Sequence, residues 1–237
     1  MNLTVARLTV RGLLGGRRGL LLLVVPALLL VISVVARGSS GDSDHVGIVL
    51  GTLGLGTLVP LLGLVVGTGA IGAEIDDGSI VYLLAKPLPR WKIITSKLVV
   101  AVLASWLFAA VPTLLAGLVL AGTRDGLALG YTVGTLVACT AYSALFLLLG
   151  VVTRNAVVVG LAYALVWESL IGNFVKGART LSIQQWGLSV ARSIAADGAV
   201  TADVALGVAV PLLLVVTVAA TVLASVKLAG LTLASDD

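Results

Sequence analysis

Long apolar stretches separated by short polar segments make up most of the chain. A helix that crosses a bilayer needs about 20 apolar residues, and six stretches approach or exceed this length. They predict spans at residues 19–36, 46–73, 98–122, 127–153, 156–174 and 204–226. The pattern therefore predicts an all-α integral membrane protein with six transmembrane helices, in a single domain over residues 1–237.

The composition supports this class. Hydrophobic residues make up 59% of the 237 residues and charged residues 11%, with a mean hydropathy of +1.17. Soluble domains carry about 25% charged residues. The net charge of +4 is better explained by orientation in a membrane than by nucleic-acid binding. The first apolar stretch is long for the core of a signal peptide, so we interpret it as a retained span.

Lysine and arginine residues are unevenly distributed over the connections between the spans. If the N-terminus is cytoplasmic, ten of them lie on the cytoplasmic side and five on the outer side. Cytoplasmic connections are usually the richer in such residues. We therefore expect a multi-pass protein with both termini in the cytoplasm.

Two polar segments predict helices at the membrane surface. Before the first span, basic residues alternate with leucine and valine, which favours an interfacial helix anchored by Arg7, Arg11, Arg17 and Arg18. The alternative is a disordered basic lead-in. Residues 174–204 mix apolar and polar positions and predict short helices that dip into the outer interface, with Trp186 at headgroup depth; the alternative is a solvated loop.

Small residues recur at a spacing of four within the spans. Such pairs occur at Gly47/Gly51, Gly63/Gly67 and Gly130/Gly134. Lipid provides no hydrophobic drive between helices, so they associate through close backbone contact at small residues. The pattern predicts a tight bundle, with a kink in the second span at Pro60.

Catalytic and metal-binding motifs are missing from the sequence. No phosphate-binding Gly-x-x-x-x-Gly-Lys-Ser/Thr loop occurs, and the single histidine, His45, cannot form a paired metal site. We therefore predict neither catalytic residues nor metal ligands. Glu168 is an acidic residue that lies well inside a predicted span. Ionisable residues in such positions are often functional, so Glu168 and its neighbour Trp167 are candidates for residues that line a substrate path. The alternative is that Glu168 faces outer water, Lys176 or Arg179.

The segment from Gly72 to Leu98 interrupts the apolar pattern with charges. Glu74, Asp76 and Asp77 come first, a helix-compatible run follows, and Pro87 and Pro89 end it. Carboxylates suit the positive end of a helix dipole. We predict a short amphipathic helix along the cytoplasmic face of the membrane, and the alternative is an ordinary anchored loop.

This segment resembles the cytoplasmic signature of type-2 permeases of ATP-binding-cassette (ABC) transporters. The matching residues are Glu74, Gly78, Ser79, Leu83, Leu84, Pro87, Arg90 and Lys97. The layout of spans is similar to that family along nearly the whole chain. The resemblance implies that the short helix is a coupling helix that docks on a separate ABC ATPase.

The resemblance also implies an assembly and an activity. Two permease chains, identical or paralogous, would bind two ATPase subunits, which would carry ATP and magnesium, so this chain would need no cofactor. The complex would export a drug, peptide, lipid or similar substrate across a bacterial cytoplasmic membrane. The main alternative is an ion-gradient-driven secondary transporter, which would need intramembrane acids. An intramembrane enzyme and a membrane anchor have less support in the sequence.

Overall fold

The computed structural model describes residues 9–10, 16–39, 46–76, 89–171 and 178–230. Within these ranges every regular element is helical, so the predicted all-α class is confirmed. The helices are α1 (Gly16–Ser39), α2 (Gly47–Leu58 and Val59–Asp76), α3 (Arg90–Ser105, Trp106–Ala110 and Val111–Ala121), α4 (Leu127–Val152), α5 (Ala156–Ala162 and Tyr163–Ile171), α6 (Ile183–Ile194) and α7 (Leu206–Gly230).

Among the described residues, five helices are long and apolar enough to cross a membrane. The qualifying stretches are Gly19–Gly38, Gly47–Gly72, Arg90–Ala121, Arg124–Val152 and Leu206–Gly230. The apolar helix Ala156–Glu168 in α5 is shorter. Part of the predicted fifth span lies outside the described residues, so the count of six spans stays a prediction.

α3 begins at Arg90, eight residues before the span that the apolar pattern predicts. Pro89 precedes the helix in an extended conformation (φ −63°, ψ 131°), and its carbonyl accepts a hydrogen bond of 2.9 Å from the Lys92 N–H. Proline lacks an amide donor, so it fits a helix start, where no carbonyl partner exists for that group. The cationic residues of the connection, Lys92 and Lys97 among them, are therefore part of the helix.

α2 changes its hydrogen-bonding pattern next to Pro60. Gly47–Leu58 is a π-helix, and the Val59 N–H donates to the Gly54 carbonyl five residues earlier. The α-helical pattern follows from Val59. The position where we predicted a kink is therefore a change of helix type. π-Helical segments also occur at Trp106–Ala110 in α3 and Tyr163–Ile171 in α5.

α4 lies at the centre of the bundle and packs against α2, α3, α6 and α7. Its Tyr142 and Phe146 are fully buried, and their rings stack with centroids 5.8 Å apart. Tyr163 of α5 packs edge-on against Phe146 at 6.2 Å. By contrast, α1 and α7 expose many leucine and valine side chains. Such apolar outer surfaces suit a lipid environment.

Glycine residues allow α2 and α4 to come close together. A Cβ atom on Gly63 would lie 2.8 Å from Tyr142 Cβ, and one on Gly67 would lie 2.7 Å from Phe146 Cβ. Gly134 of α4 contacts α6 in the same way, since a Cβ atom there would lie 2.5 Å from the Gly187 carbonyl oxygen. Close approach is thus confirmed for two of the predicted pairs, whereas Gly47 has no atom near its Cβ position.

α6 packs against protein rather than lying free at a lipid interface. Its apolar face, including Ile183, Trp186 and Val190, is buried against α4, α7 and the first part of α2. Trp186 is 2% exposed, and its indole N–H donates to the Thr180 carbonyl at 2.8 Å. The predicted helices before the last span are present, but Trp186 lies inside the protein because the bundle provides an apolar groove for it.

The glycine contacts predict a position-dependent response to a single methyl group. Gly67→Ala should lower the free energy of unfolding by about 1–3 kcal/mol, because the added carbon overpacks the contact with α4. Gly72→Ala, on the same helix, places its Cβ in open space and should be neutral or stabilising by up to about 1 kcal/mol. Unfolding in mixed detergent–SDS micelles measures both. Equal effects would contradict the proposed role of Gly67.

Candidate functional site

The connection between α2 and α3 is the segment to which the sequence assigns most functional residues. Glu74 lies in the last turn of α2, and Arg90 is the first residue of α3. The other predicted coupling residues lie outside the described residues, and they are Gly78, Ser79, Leu83, Leu84 and Pro87. The structure therefore describes only the residues on either side of residues 77–88, hereafter the connecting segment.

A buried ammonium group joins the two helices next to the connecting segment. Lys97 Nζ of α3 donates to Glu74 Oε1 at 2.7 Å and to the Ala70 carbonyl oxygen at 2.7 Å. The Lys97 side chain is 0% exposed and that of Glu74 is 25% exposed. Ala70 and Glu74 are four residues apart, so they lie on the same face of α2. One cation thus binds two successive turns of the neighbouring helix.

The position of Lys97 follows from the periodicity of α3. Ile93, Lys97, Val100 and Ala101 are all buried, and their spacing of four, seven and eight residues places them on one helix face. In the sequence, Lys97 is one of the charged residues of the segment Gly72–Leu98. The apolar residues four before and three after Lys97 are the signal that could have identified it as a buried residue.

The ion pair is asymmetric in its exposure to water. Ionisable groups inside a membrane protein usually pair with each other or with backbone carbonyls, and Lys97 does both. Removing one partner of a buried pair leaves an uncompensated charge, which is strongly unfavourable. For Lys97 that charge has no access to water; the Glu74 side chain is 25% exposed, although its Oε2 atom is buried. Loss of Glu74 would therefore leave a charge on a fully buried side chain, whereas loss of Lys97 would leave a charge on a partly exposed one.

Glu168 lies at a junction between α5 and the start of α6. It is 2% exposed, and its carboxylate accepts hydrogen bonds from the Ser182 hydroxyl, the Ile183 N–H at 3.1 Å and the Tyr163 hydroxyl at 3.3 Å. Ile183 is the first residue of α6, and Ser182 is its N-cap, accepting from the Gln185 N–H at 3.3 Å. The carboxylate thus satisfies an orphan amide at the positive end of a helix.

The surroundings of Glu168 differ from those considered in the sequence analysis. Its donors are two hydroxyls and an amide, and Arg179 forms an ion pair with Asp203 at 2.5 Å. Lys176 lies outside the described residues. Trp167, the neighbour of Glu168, is partly buried. The π-helical parts of α5 and α2 contact each other, which brings the candidate path residues next to the second predicted span.

The basic N-terminal region is described only in part. Arg7 and Arg11 lie outside the described residues. The backbone of Arg17 and Arg18 belongs to the first turn of α1, so these two residues are part of the same helix as the first span. An anchoring role for all four arginines stays a prediction.

Comparison with known proteins gives one family. A family model described as ABC-2 family transporter protein matches residues 50–181, which is more than half of the chain. The match begins in the π-helical part of α2 and includes the connecting segment and Glu168. None of the curated proteins matches the chain significantly.

The asymmetry of the ion pair gives a stability prediction. Glu74→Ala should lower the free energy of unfolding by about 3–5 kcal/mol, because it leaves the buried Lys97 ammonium unpaired. Lys97→Met should cost less, because the side chain that keeps its charge is partly exposed and methionine fills the apolar space. Lys92→Met, at an exposed position of the same helix, is the control and should have almost no effect. Unfolding in mixed micelles measures all three; equal losses for the first two would contradict the asymmetry.

The contacts of Glu168 predict local unfolding at the start of α6. Glu168→Ala should cost at least about 2 kcal/mol, since it leaves buried donors without an acceptor, and should speed hydrogen exchange in the first turn of α6. Asp203→Asn removes an exposed ion pair and should cost less than about 1 kcal/mol. Hydrogen exchange measured by mass spectrometry separates the two, and unchanged exchange around Ile183 in Glu168→Ala would argue against the capping role.

Proposed function

Because the chain belongs to the ABC-2 family of transporter proteins, we propose that it is the membrane-spanning subunit of an ATP-driven exporter. The family and the apolar helices make it a multi-pass membrane protein. Membership of this family implies an ABC ATPase as partner in general terms. The family match over residues 50–181 is the observation that carries the proposal.

In this proposal the connecting segment docks on the ATPase. Its residues would form a short helix at the cytoplasmic face, with Gly78, Ser79, Leu83, Leu84 and Pro87 inside it and Glu74 and Arg90 at its two ends. ATP and magnesium would bind the partner, and this chain would carry no catalytic residue and no cofactor. ATP binding would close two ATPases and move two docked permease chains, identical or paralogous.

Two features of the described residues support this arrangement. The ends of α2 and α3 are tied together beside the connecting segment by Lys97 and Glu74, so a displacement of the segment would reach both helices. The bundle also places long apolar surfaces on its outside, as a membrane subunit requires. We propose a bacterial cytoplasmic membrane as the location, with both termini in the cytoplasm.

The proposed substrate path follows α2 and α5, where their π-helical parts meet. Glu168 and Trp167 would lie beside it. π-Helical segments often occur at functional positions. A drug, a peptide or a lipid would each suit a path with apolar walls.

Affinity purification of the full chain from gently solubilised native membranes tests the proposal. We expect an ABC ATPase to copurify in stoichiometric amount, as identified by mass spectrometry. A variant in which residues 77–88 are replaced by a glycine–serine segment of equal length should insert into the membrane but lose the ATPase. A folded wild-type chain that retains no ATPase would contradict the proposed function.

A proline in the connecting segment should uncouple the two subunits. Leu83→Pro removes an amide donor and breaks a helix at this position, so it should abolish the stimulation of the partner's ATPase activity while the chain still inserts. Leu83→Ala keeps helical propensity and should retain most of the stimulation. ATP hydrolysis by the purified complex measures both variants. Full stimulation of a folded Leu83→Pro variant would refute docking through a helix.

A further inference from the structure

Lys97, the cationic residue of the buried ion pair, has no role in the ATPase contact proposed above. Lys97 lies seven residues after the start of α3, which places it about 10 Å along the helix from Arg90, inside the bundle. Its ammonium is fully buried and bound on α2 at both Glu74 and Ala70. A residue in this position influences how α2 and α3 are placed relative to each other.

Simple stabilisation is a weak explanation for a charge in this position. Replacing a buried ion pair by well-packed apolar residues is often neutral or stabilising, and the residues around Lys97 on its helix face are apolar. A methionine would fill a similar volume. What an apolar side chain does not provide is directional binding to two fixed points, since hydrophobic contact is non-directional.

The two contacts fix the axial register of α2 against α3. A shift of one helix by a turn would move the ammonium about 5 Å from both oxygens and leave it buried without a partner. Packed helices otherwise slide by small shear movements during conformational changes. The ion pair opposes such sliding at the place where the connecting segment begins and ends.

We infer that Lys97 is a positioning residue that holds α2 and α3 in one register at the base of the connecting segment, so that both helices move as one body. Glu74 then acts inside the chain, as the acceptor for Lys97, and the ATPase is bound by the segment between the two helices. This inference rests on the proposed function and goes beyond it, because it assigns the transmission step to a pair of residues.

The test measures the distance between α2 and α3 in two nucleotide states. Spin labels on cysteines at Gly72 and Val99, in a Cys139→Ala background, report this distance by electron paramagnetic resonance. A Cβ atom at Gly72 meets no other atom, and Val99 is 40% exposed, so both positions accept a label. The sample is the complex of the full chain with its copurified ATPase in lipid nanodiscs, without nucleotide and with ATP, magnesium and vanadate.

In the wild type we expect one narrow distance distribution that is the same in both states. In Lys97→Met the distribution should broaden or change with nucleotide, and ATPase stimulation should fall about tenfold, within the range of coupling between protein sites. Lys92→Met is the matched control and should behave as wild type. Wild-type distances and stimulation in Lys97→Met would overturn the inference.

The double variant Lys97→Met/Glu74→Met separates positioning from stability. It removes both charges, so thermal stability should recover toward wild type while stimulation stays low. Recovery of both properties would show that the pair only stabilises the fold, and would overturn the inference. If the wild-type chain retains no ATPase, the proposed function fails. The label distances in the isolated chain still test the positioning role of Lys97, because the distance distribution should be narrow in the wild type and broad in Lys97→Met.

Discussion

Polar groups inside an apolar bundle need partners within the protein, and this constraint determines most of the structure. Backbone groups meet it by forming helices, as every spanning segment must in lipid. Among the described residues, buried charged side chains meet it at two places. Lys97 binds Glu74 and Ala70 between α2 and α3, and Glu168 binds Ser182 and Ile183 between α5 and α6. Each acid therefore forms contacts between two helices that follow one another in the chain: Glu74 between α2 and α3, and Glu168 between α5 and α6.

Close packing at glycine brings these elements near enough for such contacts. Gly63 and Gly67 let α2 approach the backbone of α4, and Gly134 does the same for α6. α2 and α6 both pack on α4, and α3 and α7 pack on α4 as well. α6 is amphipathic, but its apolar face lies on the bundle, so its N-terminus is buried. A buried helix N-terminus requires acceptors, and Glu168 supplies one from α5.

The sequence predicted those features that depend on composition and local order. The helices of the spans follow from apolar length, and the contacts of Gly67 from small-residue spacing. Features that depend on two segments at once were not predictable. The partner of Lys97 depends on the register between α2 and α3, and the burial of Trp186 depends on a groove formed by other helices. An interfacial helix and a helix packed in a groove have the same amphipathic pattern. π-Helical hydrogen bonding leaves no periodicity in the sequence that would separate it from an α-helix.

The two acids differ in the range over which their contacts act. The hydrogen bonds that Glu168 accepts from Tyr163, Ser182 and Ile183 order one connection and the helix that follows it. Glu74 and Lys97 are on opposite sides of the connecting segment and belong to different long helices. In the proposed mechanism, a force on that segment would act on two helices that are already joined, and α2 packs closely on α4 at Gly63 and Gly67. The ion pair is thus placed to couple events at one end of the bundle to its centre.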